Sequence, residues 1–130
     1  LSIDRTKSAV FHYEIGKKLA SLRDEGVLVI GSGNLVHNLS AYVWSQYPAK
    51  PFEWAVRFEE RVQESLLNAD YDPLINYETL GNDAMLSVPT PDHYFPLLYV
   101  IACRKEGEKL SFPVKGVDGG SISMLTVQIG

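Results

Sequence analysis

Apolar residues recur at three- and four-residue spacings from Thr6 to Glu25. Val10, Phe11, Ile15, Leu19 and Leu22 form one stripe, and Lys7, Glu14, Lys17, Lys18 and Arg23 mostly occupy the other faces. That period predicts a helix, and Gly26 supplies its stop. The pattern then changes to a continuous apolar run, Val27–Gly31, which predicts a short strand buried on both faces, the kind found in parallel sheets. "LSID", residues 1–4, reads as the strand before the helix, so the opening third is expected to be half of an α/β crossover.

A second helix is predicted over 51–69. Pro51 opens it, Ala55, Phe58, Val62 and Leu66 face inward, and Glu59, Glu60, Arg61 and Glu64 are solvated. "DPLINYETLG", 72–81, predicts one short helix with a glycine stop. Over 89–107 a third helix is expected, with Thr90 as cap, Pro91 in the first turn and Asp92 at the positive end of the dipole. Pro96 inside it calls for a bend or a delayed start. Residues 109–116 and 119–130 read as two strands joined by a Gly-rich turn. The expected fold class is α/β: one unit, residues 1–130, with a central mostly parallel sheet, flanking helices and C-terminal β-strands.

Composition narrows the function. The net charge is -4, and no lysine or arginine cluster exceeds a pair, which argues against nucleic acid. One cysteine, Cys103, excludes an internal disulfide or a multi-cysteine zinc site and suits a reducing compartment. No apolar run approaches the roughly 20 residues of a membrane span. No charged-then-apolar leader is visible either, so a cytoplasmic location is expected. The chain opens at Leu1 rather than a methionine, as a piece of a longer protein would.

Three histidines carry the candidate chemistry. His12, mid-helix between Phe11 and Tyr13, reads as structural. His37 follows "GSGN" on the loop leaving the expected strand. Glycines there let the backbone approach a bound group, and loops beyond strand ends are where α/β sheets hold ligands. Asn34 and Asn38 flank it as orienting partners. The stretch is neither a dinucleotide fingerprint nor a Walker loop, and no serine elbow is present. His93 occupies the turn behind "PTPD", where a neutral imidazole suits a metal ligand or an acid/base group. For both, a purely structural histidine is the alternative. Catalytic metals usually take about three protein ligands. Asp92 reads as a surface charge and Cys103 as core, so any metal site must be completed from elsewhere.

Four blocks occur in order: "SGNLVHNL", "DPLINY", "PTPDHYFPLLYV" and "GSISMLTVQIG". Together they resemble the C-terminal half of the 4,5-DOPA dioxygenase-type extradiol ring-cleavage enzymes, within the class III extradiol superfamily. The resemblance implies opening of a catechol-type aromatic ring beside its two hydroxyls, with both atoms of O2 inserted. It implies a non-haem Fe(II) for activity, zinc being an alternative occupant. His37 matches the position read as acid/base, which in this subfamily also approaches the metal. His93 matches the position that completes the metal site or contacts substrate. Both are therefore catalytic and metal candidates, backed by Asn34 and Asn38. The family's first half carries a "HGSP"-type and a "SAHW"-type histidine block, and neither is here. The resemblance thus implies a missing N-terminal half or partner chain. It also implies an exposed sheet edge prone to self-association, weak metal binding and no turnover by these residues alone. A non-catalytic binding module or subunit, and a metal-dependent hydrolase on the same scaffold, are the competing readings.

Overall fold

A computed structural model describes all 130 residues. Helix α1, Ala9–Leu19, starts where Ser8 Oγ accepts the Phe11 N–H at 3.3 Å. A 3-10 stretch, Ala20–Glu25, continues it and ends at Gly26 in the left-handed conformation (φ 81°), as the sequence indicates. The buried face differs from the expected stripe. Val10 and Phe11 are exposed, while His12 and Gly16 are buried against α5, Phe95–Ala102. Gly16 explains the close packing: a Cβ there would lie 2.7 Å from the Ala102 Cβ.

Helix α2, Glu53–Leu67, buries Ala55, Phe58, Val62 and Leu66 as its period requires. Glu59 is a correction, because it is buried rather than solvated. The 72–81 segment divides into α3, Asp72–Ile75, and a 3-10 turn, Tyr77–Leu80. Gly81 both ends that turn and starts α4, Asn82–Ser87, a helix with no sequence stripe to announce it. Pro96 delays the next helix: a 3-10 turn at Pro91–His93 comes first, and α5 begins only at Phe95. Thr90 stands at the head of that turn without a side-chain capping bond. No helix is long and apolar enough to cross a membrane.

The chain mixes helix and strand, but its strands do not form a central parallel sheet. The C-terminal region holds four short strands in two antiparallel pairs. β1, Leu110–Ser111, pairs with β4, Gln128–Ile129, and β2, Val117–Asp118, pairs with β3, Ile122–Ser123. Neither "LSID" nor Val27–Gly31 is a paired strand. Residues 27–34 run without turn or bend, yet Leu28 and Ile30 are 79% and 78% exposed. The physical reason is that a parallel strand needs hydrogen-bonded neighbours, and no segment of these 130 residues makes a backbone hydrogen bond to residues 28–33. One core forms instead, from α2, α4, α5, Leu74, Tyr77 and the buried pair Leu35 and Val36.

Candidate functional site

Each loop histidine follows or precedes a residue sunk in that core. Leu35 and Val36 are buried, which leaves His37 half-buried at the rim. The His37 N–H donates to Ser87 O at 2.8 Å, and His37 bridges Ile122 of β3. On the other loop, Tyr94 is fully buried between the Phe58 and Tyr77 rings, and its hydroxyl donates to Leu74 O at 2.9 Å. Burial pushes the Tyr94 phenol far up, so it remains a neutral anchor. His93, its predecessor, is held outward.

The two loops meet through backbone. Asn34 N–H donates to His93 O at 2.9 Å, and a Cβ on Gly33 would lie 2.2 Å from that same oxygen. Only glycine allows this approach. The consequence is a stacked pair: the His37 and His93 rings lie 3.7 Å apart at 19°. Asn34 Nδ2 also donates to Ser123 O at 2.7 Å. Asn38 Nδ2 donates to Leu86 O at 2.8 Å, and its Oδ1 accepts Ala41 N–H at 3.2 Å. Both asparagines therefore brace the loops rather than touch the rings. Asp92 Oδ2 lies 3.6 Å from His93 Nε2. Its Oδ1 is buried without a hydrogen-bond partner. The Thr90 hydroxyl holds the Asp92 carboxyl below its usual range.

Burial, and secondarily the nearby His93, push the His37 pKa below its ordinary 6.5. A neutral imidazole with a free nitrogen is the form able to accept a proton or bind a metal. The pair does not, as placed, hold one metal ion jointly. An imidazole binds a metal in its own ring plane at about 2 Å. Two nearly parallel planes 3.7 Å apart do not meet at that distance. No group of three His, Cys, Asp or Glu side chains surrounds them.

Two other residues bear on the site. His12 is structural, as expected, with Nδ1 2.8 Å from the Tyr99 hydroxyl and Nε2 3.0 Å from Asp4 O. Glu59 was not singled out, yet its Oε2 accepts the Ser123 hydroxyl at 2.6 Å, behind the carbonyl that holds Asn34. The signal was present: Glu59 stands four residues after Ala55 and three before Val62, on the buried stripe.

No family model matches the chain. Among curated proteins, 4,5-DOPA dioxygenase extradiol of Escherichia coli strain K12 is 46% identical over 100% of this chain and 48% of its own length. The proteins of the same name from Beta vulgaris and Portulaca grandiflora are each 32% identical, over 95% and 94% of this chain and 45% of their own lengths. A crystal structure of an uncharacterized Escherichia coli K12 protein matches with a TM-score of 0.91 and 45% identity, over 99% of this chain and 53% of that one. The chain spans about half the length of the relatives it matches.

Proposed function

Because the chain belongs to the 4,5-DOPA dioxygenase-type extradiol family, spanning about half of a member's length, we propose that it supplies one half of an enzyme that cleaves catechol-type rings with O2. The observation that carries this reading is the convergence of His37 and His93, remote in sequence, at one stacked pair. The substrate is a small catechol-type aromatic, taken with O2. Fe(II) is the metal proposed for activity, with zinc as the alternative occupant. Since the stacked rings cannot share one ion, at most one of them ligates it in this arrangement, and the remaining donors lie outside these residues.

His37 is the proton acceptor. It is held neutral by burial and by His93, so it can take a phenolic proton near neutral pH and return it later. Ser87 O and the Ile122 bridge fix its backbone. His93 sits against its face, positioned by the Tyr94 anchor and by Asn34, where it contacts the metal or the substrate. Asn38 and Glu59 hold the surrounding loops. A cytoplasmic setting goes with this role and with the free, buried Cys103 thiol. Nucleic acid and membrane are not its partners.

These 130 residues alone should not turn over a catechol. The test is a family-length protein, made by joining the remaining half of the Escherichia coli relative to this chain and loaded anaerobically with Fe(II). Oxygen uptake with a yellow ring-opened product is expected. A folded protein of that kind showing neither, with iron kept reduced, would refute the reading.

A further inference from the structure

We infer that Glu59 is a positioning residue for the histidine pair, holding His37 and His93 against each other through a single intermediary, Ser123. Glu59 and Ser123 are 7% and 1% exposed, and no lysine or arginine pairs with the carboxylate. Glu59 Oε2 accepts the Ser123 hydroxyl at 2.6 Å, a length typical of a hydroxyl bound to a carboxylate, and Oε1 accepts from Gln63 Nε2 at 3.4 Å. Burying a carboxylate without a cation is costly, and a leucine would suit the inward stripe of α2 better at that position. What the carboxylate supplies, and an apolar side chain does not, is an acceptor for one hydroxyl.

Every polar group of Ser123 is engaged. Its N–H donates at 2.9 Å to the carbonyl of Val36, the residue before His37. Its carbonyl accepts from Asn34 Nδ2 at 2.7 Å, and the backbone N–H of that same asparagine donates to His93 O at 2.9 Å. Its hydroxyl, besides donating to Glu59, accepts the Leu125 N–H at 3.1 Å. Ser123 thus reaches the His37 segment through one hydrogen bond and the His93 segment through two in series. Strand β3 does not fix Ser123 by itself, since it is two residues long and pairs in its sheet only with Val117 and Asp118. Helix α2, the longest element at 15 residues, is the rigid reference from which Glu59 sets it. Without that tether Ser123 is free to shift, the two loops follow it unequally, and the stacked rings part.

The kinetic consequence rests on the ring-cleaving role proposed above, and the geometric one does not. Three variants separate positioning from stability. Glu59→Gln keeps an acceptor. E59L/S123A removes both partners together, so neither is left stranded and the unfolding midpoint should stay close to that of the unsubstituted chain. Ser123→Ala removes the hydroxyl alone and decides the matter if the double variant does not fold. In the metal-free chain, NMR contacts between the His37 and His93 rings should persist in Glu59→Gln and weaken in the other two. In the joined family-length protein at equal iron content, those two should lose kcat by about 10-fold or more with KM changed less than about two-fold, and Glu59→Gln should keep most of the rate. Intact ring contacts in Ser123→Ala and the double variant would overturn the inference. So would full kcat in them, or a Glu59→Gln protein that loses as much as they do. If the unsubstituted joined protein cleaves no catechol, the catalytic reading falls and the ring contacts still decide this one.

Discussion

At the residue scale, His37 and His93 owe their positions to their neighbours. Val36 and Tyr94 are the buried anchors, and each histidine is what the anchor leaves at the surface. The Gly33–His93 approach then closes the pair. Gly33→Ala should cost on the order of 1–3 kcal/mol of stability by denaturant unfolding, because its methyl meets a backbone oxygen that cannot swing away. The same change should separate the two imidazoles, read as lost ring-to-ring NMR contacts. His37 gives a pH signature. Its folded pKa is lowered, so the unfolded chain binds the proton first. Its contribution to stability is complete above about pH 6.5 and is lost as pH falls through the lower folded value. NMR titration of the metal-free chain should place the His37 midpoint below 6.5, and His93→Gln should move it part of the way back. A midpoint at or above 6.5 would contradict the burial argument. His37, His93, Asn34 and Asn38 were legible because glycine, proline and asparagine mark the turns that place them. The mutual stacking was not, since it depends on a contact between loops far apart in sequence.

At the level of elements, long periodic segments announced themselves and short ones did not. The α2 stripe is read directly from Ala55, Phe58, Val62 and Leu66. Helix α4 has six residues and no repeat to show, so only its packing against α2 reveals it. The α1 stripe misled because Val10 and Phe11 are apolar yet exposed, while the buried positions are a histidine satisfied by Tyr99 and a glycine. Between elements, the Glu59–Ser123 bond ties α2 to β3 behind the site. Glu59→Ala strands a buried hydroxyl and should cost about 1–3 kcal/mol, while Glu59→Gln keeps an acceptor and most of the stability. Equal losses for both, measured by chemical denaturation, would show that charge rather than hydrogen bonding matters there. Tyr94→Phe tests the second anchor. It leaves Leu74 O without its donor and should destabilise by a similar amount without changing the fold.

For the molecule as a whole, the sequence pattern called for a parallel sheet that this chain does not contain. The Val27–Gly31 run, read as a strand buried on both faces, runs without turn or bend but is unpaired, with Leu28 and Ile30 exposed. Pairing is a property of two segments, so no single segment can disclose whether it is paired. Exposed Leu28 and Ile30 give the isolated chain an apolar surface. The most direct test of the proposed role of the histidine pair is the rate of oxygen uptake, with a catechol, by the folded family-length protein and its His37→Gln variant across pH 5 to 8. The unsubstituted protein should lose activity as pH falls below the ordinary histidine range and His37 becomes protonated, and His37→Gln should be slower by about 10²–10⁴-fold and lack that limb. A folded, iron-loaded His37→Gln protein that keeps the full rate and the same pH profile would contradict it.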